Sequence, residues 1–87
     1  MPHYYFDIYL GPNFLPDEDG QDCENLDVAE MEATSTAFDL GLSHMLNRDV
    51  RDIRIAVKDD DRQQMLNIVI SMKSERIGLP AGQEISL

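Results

Sequence analysis

Apolar residues in this 87-residue chain recur with period two, then with the period of a helix, and then with period two again. Residues 4–10 alternate between two faces and are rich in aromatic and β-branched side chains, which is typical of a strand. A helix is predicted over 27–46, and strands over 50–58 and 66–72 are predicted to form a hairpin. This order predicts an α+β fold, in which a three- or four-stranded antiparallel sheet has one helix packed on one face.

The segment between the first strand and the helix, residues 14–25, is predicted to be an acidic loop. Its Asp19-Gly20 pair is a strong turn signal, and residues 21–23 could form a short strand that pairs back on the first one. Residues 1–73 are therefore predicted to form a single domain of order β(β)αββ. Residues 74–87 lack a hydrophobic period and are predicted to form an irregular C-terminal tail.

The predicted helix carries signals at both ends. Asp27 is predicted to be the N-cap, with Glu30 three residues later completing a capping box. Leu26 and Met31 are placed to form a hydrophobic staple around that cap. Asn47 is predicted to cap the C-terminal end.

The same helix has two apolar sides at 100° per residue. One side holds large residues, namely Val28, Met31, Phe38, Leu42, Met45 and Leu46. The other side is mostly small, namely Ala29, Ala33, Ala37, Leu40 and Gly41. Because one small sheet covers only one side well, the large side is predicted to face the sheet. The small side then either faces water or admits a second chain, and Gly41, which costs ~1 kcal/mol inside a helix, favours the close contact.

These considerations predict where a partner would bind. No segment remains to cover the second face of the sheet, which carries aromatic residues suited to protein contacts. The predicted dimer or partner contacts are therefore the small side of the helix and that open face, at Ala33, Ala37, Leu40, Gly41, His44, Tyr5 and Tyr9. A homodimer is the expected assembly, because a chain of this length has a thin core.

The net charge of −10 is unevenly distributed. Residues 1–47 contain ten acids and no lysine or arginine, whereas residues 48–87 contain seven acids and seven bases. Phosphate backbones should be repelled by the first half, so no nucleic-acid partner is expected. The acids either keep the protein in solution or bind a basic protein partner.

The acidic loop is the first candidate for a cation site, and the turn Asp59-Asp60-Asp61 at the hairpin tip is a second acidic cluster where only weak association is expected. The predicted acidic patch of the loop consists of Asp17, Glu18, Asp19, Asp22 and Glu24. An EF-hand is excluded, because placing Gly20 at the sixth position puts Leu15 and Leu26 where carboxylates belong. A solvated turn is the default, and Ca²⁺ or Mg²⁺ binding is the alternative.

The chain has no recognisable catalytic motif, so we expect no enzyme, no catalytic residue, no cofactor and no dedicated metal site. Cys23 lies between Asp22 and Glu24, whose charges disfavour a reactive thiolate. One cysteine cannot form an internal disulfide, and the N-terminus lacks the pattern of a secretory signal. No apolar run is long enough to span a membrane, so a cytoplasmic protein without a membrane partner is expected.

Short motifs over residues 1–72 resemble an uncharacterised family of short proteins that is abundant in rhizobia and related alphaproteobacteria. The matching positions are Tyr4-Tyr5-Phe6, the run Pro16-Asp17-Glu18-Asp19-Gly20, Leu26 with Ala29, Glu32-Ala33, and the acidic turn Asp59-Asp60-Asp61. Two features depart from the family pattern: the helix has no lysine or arginine before Arg48, and Arg62 follows the acidic turn where glycine is usual. The resemblance implies no known activity and no catalytic residues.

The sequence thus leaves the biological role unknown and ranks three hypotheses. The leading one is a non-enzymatic protein–protein interaction module, expected to be homodimeric. The second is an acidic regulator or inhibitor of a basic protein. The third is a divalent-cation binder that uses the acidic loop.

Overall fold

The structure, a computed structural model, describes residues 1–46 and 50–78. It confirms an α+β fold in which one helix packs on an antiparallel sheet. The sheet has five strands, one or two more than predicted. In chain order the elements are β1 (His3–Leu10), β2 (Asn13–Leu15), β3 (Gln21–Asp22), α1 (Leu26–Leu46), β4 (Asp52–Lys58) and β5 (Gln64–Ser71).

The strand order is β2-β1-β4-β5, and β3 pairs with the beginning of β1. The predicted short return strand is therefore present, and the extra strand β2 arises because the chain folds back at Gly11 and pairs with the end of β1. The hairpin of β4 and β5 is also confirmed. β4 lies in the middle of the sheet, so its apolar side chains Ile53, Ile55 and Val57 are fully buried.

The small side of α1 faces the sheet, and the prediction that the large side would do so is wrong. Ala29, Ala33 and Ala37 have no exposed surface, and Gly41 is also buried. The reason is complementary volume: the sheet presents large β-branched side chains at this interface, and small residues on the helix let the two layers approach closely. The predicted partner contact through these residues is therefore wrong, because they form the core of their own chain.

Most of the large side lies in water. The exposed fractions are 71% for Met31, 64% for Phe38, 68% for Leu42 and 72% for Leu46. Met45 and Val28 are the exceptions: Met45 packs with Ile53 in the second part of the core, and the half-buried Val28 packs against the first part. One small sheet does leave one apolar side of the helix uncovered, but it is the side with the larger residues.

The helix begins one residue earlier than predicted. The Asn25 side chain accepts a hydrogen bond of 2.9 Å from the amide of Val28, so Asn25 is the N-cap and the prediction of Asp27 is wrong. The predicted capping box and staple fail with it, because they require Asp27 at the cap. The predicted cap Asn47, and the part of the predicted tail beyond residue 78, lie outside the described residues.

Candidate functional site

The uncovered side of α1 is an apolar surface with four large exposed side chains. We call it the helix stripe and define it as Met31, Phe38, Leu42 and Leu46. At 1.5 Å per residue the stripe is roughly 22 Å long. Exposed apolar patches larger than a few hundred Å² are rare on soluble monomers and mark interaction surfaces.

The helix stripe borders the outer strand of the sheet. A groove of about 410 Å³ separates α1 from β5, and its lining includes Phe38, Leu42, Leu46 and Ile70. The opposite flank of the helix is polar, because Glu32 and Thr36 line the groove toward β1 and β2. The apolar flank of α1 therefore points toward β5 and its polar flank points toward the other edge of the sheet.

Two predicted helix contacts lie at the margins of these surfaces. Leu40 and His44 are half-buried, and Leu40 packs against the part of the core that contains Leu10, Met45 and Val50. Neither residue belongs to the helix stripe. The spacing of the four stripe residues in the sequence does predict an apolar side of the helix. The prediction placed that side against the sheet, whereas the structure leaves it exposed.

The open face of the sheet is occupied by cation–π pairs. The guanidinium of Arg62 lies 3.6 Å from the ring centroid of Tyr5, and that of Arg54 lies 4.0 Å from the ring centroid of Tyr9. Phe14 from β2 packs beside Tyr9, with a centroid distance of 4.7 Å. The predicted contact residues Tyr5 and Tyr9 are thus half-buried beneath arginines of their own chain.

A buried ion pair lies between these cation–π pairs. The ammonium of Lys58 is 2.6 Å from the carboxylate of Asp7, whose side chain is 3% exposed. Burial raises the pKa of Asp7, but the hydrogen bond from the amide of Asp17 and the charges of Lys58 and Arg62 outweigh it, so the pKa lies below its ordinary value. This pair fixes the acidic loop to the sheet, because the same carboxylate binds the loop backbone.

Asp17 organises the acidic loop from within. Its carboxylate accepts hydrogen bonds from the amides of Phe6, Asp19 and Gly20, at 3.0, 3.2 and 3.0 Å. Gly20 is required at this turn, because its φ is +71° and an added Cβ would lie 2.7 Å from the carbonyl oxygen of Tyr4. A carboxylate with three amide donors has little capacity left for a cation.

Asp22 is also bound within the chain. Its carboxylate lies 2.7 Å from Nδ1 of His3, whose Nε2 lies 2.8 Å from the carbonyl oxygen of Asp19. The hydrogen bonds to Asp22 and Asp19 raise the pKa of His3 above its ordinary value. Of the predicted acidic patch, Glu18, Asp19, Asp22 and Glu24 are exposed, and Asp17 is half-buried.

Neither the thiol nor the acids form a reactive cluster. Cys23 is 2% exposed; burial raises its pKa, and the charges of Glu32 and Asp22 raise it further. Among residues 1–46 and 50–78, no three histidine, cysteine or acidic side chains converge to hold a metal ion. Within those residues no helix combines the length and hydropathy that crossing a bilayer requires.

The fold and its surfaces define a one-helix α+β domain with a five-stranded antiparallel sheet and an apolar stripe on the helix. The chain belongs to the family described as a domain of unknown function, DUF6894, whose model matches residues 3–71. That match runs from the first residue of β1 to the last residue of β5. No curated protein and no solved structure matches the chain. The function of the family is unknown, as the resemblance implied.

Proposed function

We propose that this domain is a non-enzymatic protein–protein interaction module that forms a homodimer through the helix stripe. The observation that carries the proposal is the exposure of four large apolar side chains along one side of α1. If a large side chain offers roughly 200 Å², these four expose roughly 500 Å². Each Å² of apolar surface removed from water stabilises a complex by about 25 cal/mol, so a partner that covers the stripe would gain this free energy.

A second copy of the chain is the partner that fits the shape of the stripe. Phe38 lies near its midpoint, with Met31 at one end and Leu46 at the other. Two antiparallel helices related by a two-fold axis at Phe38 would therefore pair Met31 with the Leu46 of the partner. Such a self-complementary patch is the usual form of a homodimer interface.

The absence of enzymatic activity is part of the same proposal. Three side chains that could take part in catalysis have structural roles: His3 binds Asp22, Asp7 binds Lys58, and Cys23 is buried. We also propose a cytoplasmic location without nucleic-acid or membrane partners, in accord with the strong negative charge and the single thiol. We also propose that proteins of this family occur among rhizobia and related alphaproteobacteria.

Sedimentation velocity from about 1 to about 200 µM tests the dimer, because self-association follows mass action. We expect the wild-type protein to shift from monomer to dimer over this range. Phe38→Glu should weaken the dimer at least thirtyfold, roughly the loss caused by a hot-spot truncation. Asn13→Glu on β2 adds the same charge at another exposed position and is the matched control. A wild-type protein that stays monomeric throughout would refute the dimer.

A specific observation also supports the acidic-regulator hypothesis. Asp27 and Glu30 line the same groove as Met31 and Phe38, so the N-terminal half of the stripe has an acidic rim. A basic, apolar peptide segment would satisfy both features. Titration of the protein with a basic amphipathic peptide should give saturable binding that weakens with salt, and Glu30→Gln should reduce the salt dependence.

A further inference from the structure

The outer edge of β5 differs from the opposite edge of the sheet. β5 is eight residues long and pairs only with β4 among the described residues. Its sequence, Gln64–Ser71, contains no charged residue, no proline and no glycine. Proteins normally protect an exposed edge strand with such residues, because its free N–H and C=O groups would otherwise pair with another chain.

The opposite edge shows the protection that β5 lacks. It consists of the three-residue β2 and the two-residue β3. Pro12 and Pro16 flank β2, and proline cannot donate a backbone hydrogen bond. The same molecule thus has one protected and one unprotected edge, and the unprotected edge is the one that borders the helix stripe.

We propose that β5 pairs antiparallel with the β5 of a second copy, so that one continuous sheet crosses the dimer and the two helix stripes meet above the seam. This inference rests on the proposed homodimer and specifies its geometry. We infer that the chain that pairs with β5 is a second copy of this protein. Two copies that each carry a net charge of −10 repel each other, and this repulsion is weakest at β5, where neither copy has a charged residue.

The spacing of the two layers supports this arrangement. α1 packs to the same extent against β4 and β5, so it lies above the line between them. In a continuous sheet with strands about 4.8 Å apart, the two helices would lie about 9.6 Å apart. Packed helices are 8–10 Å apart, so sheet continuation brings the helices to contact distance without any rearrangement.

The alternation of side chains restricts the register. Leu66, Ile68 and Ile70 face the helix, whereas Asn67 and Val69 lie on the open face. Directly opposed residues must share a face, so a two-fold axis near the middle of β5 passes through a residue, Asn67 or Ile68, and not between two residues. We take the axis through Ile68, which faces the helix stripe side of the sheet. Asn67 then lies opposite the Val69 of the partner, and Leu66 lies opposite the Ile70 of the partner.

Both open-face positions accept substitutions without loss of core contacts. Val69 is 62% exposed, and Asn67 is exposed as well. In the proposed register each dimer contains two contacts between position 67 of one copy and position 69 of the other. Charges placed there either repel or attract across the seam, depending only on their sign.

Four double variants test the pairing, with circular dichroism to verify that each is folded. Sedimentation velocity should show N67K/V69K and N67E/V69E each weakening the dimer at least tenfold, because like charges meet twice. An equimolar mixture of the two should restore a dimer. The self-complementary N67K/V69E and N67E/V69K should retain wild-type affinity, and they serve as controls for folding and for the substitutions themselves.

The outcomes separate this inference from the proposed function. A wild-type dimer that Phe38→Glu dissociates, but that N67K/V69K leaves unchanged, would keep the homodimer and refute pairing through β5. Loss of the dimer in N67K/V69E to the same degree as in N67K/V69K would refute the register through Ile68. A wild-type protein that never dimerises would refute the homodimer, and β5 pairing with it.

Discussion

Replacing Ala33 by leucine tests which side of α1 is buried. Ala33 has no exposed surface and packs in the cluster that contains Ile55, Val57 and Tyr4. Leucine adds three carbon atoms at a position where the helix and sheet are in close contact. We therefore expect Ala33→Leu to overpack the interface and to lower the free energy of unfolding by about 1–3 kcal/mol.

This loss is large enough to measure by thermal unfolding. In a domain of this size a loss of 1 kcal/mol lowers Tm by about 4–8 °C, so a loss of 1–3 kcal/mol should lower Tm by about 4 to 24 °C. Chemical denaturation should show a lower midpoint with an unchanged slope, because the substitution alters the packing and not the extent of the folded domain.

Ser35→Leu is the matched control. It introduces the same residue two positions later, where the side chain is exposed beside the helix stripe. Its effect on the free energy of unfolding should be within about 0.5 kcal/mol, or slightly favourable if the dimer becomes tighter. The reverse pattern, a stable Ala33→Leu and an unstable Ser35→Leu, would show that the large side of α1 is buried and would refute the reasoning.

Three further predictions concern the open face and the thiol. Asp7→Asn should cost about 3 kcal/mol, because it leaves the ammonium of Lys58 without its partner. The pKa of Asp7 in the folded protein lies below 3.8, so the stabilisation that the ionised Asp7 gives the fold is complete above pH 3.8 and is lost as the pH falls through the folded pKa. Acid unfolding followed by circular dichroism should show this loss in the wild type and not in Asp7→Asn. Arg62 has a φ of 64° and lies over Tyr5. Arg62→Ala should lose the cation–π contact and keep the backbone strain, whereas Arg62→Gly should lose both and be more stable than Arg62→Ala by about 1 kcal/mol. Equal urea midpoints for the two variants would contradict this account. Iodoacetamide at neutral pH should alkylate Cys23 at least tenfold more slowly in the folded than in the unfolded chain, because the thiol is buried and its pKa is raised. Rapid labelling of the folded protein would argue against the buried position.

Arg62 illustrates how far the sequence resemblance and the structure agree. The resemblance indicated glycine as the usual residue after the acidic turn, and the structure places Arg62 in the left-handed region that glycine prefers. The turn geometry was therefore implied by the sequence. The contact with Tyr5 was not, because these residues are distant in the sequence and approach only when β1 and the β4–β5 hairpin assemble.

The acidic loop shows a similar division. Its turn at Gly20 and the short strand after it were predictable from local residues. That Asp17 also binds the amide of Phe6, and that Asp7 forms an ion pair with Lys58, depended on how the strands and the loop assemble. Residues 1–47 contain no lysine or arginine, but three cations from the second half of the chain, Arg54, Lys58 and Arg62, contact them once the sheet has formed.

The sequence by itself determined the order and type of every element except β2, because the period of apolar residues distinguishes a strand from a helix without any long-range information. It also determined that α1 has two apolar sides and that one sheet covers only one of them. Only the tertiary structure decided which side is buried. That choice depends on how the volumes of Ile55, Val57 and the other sheet residues match the alanines of the helix, and packing volume is a property of the assembled layers and not of either segment alone.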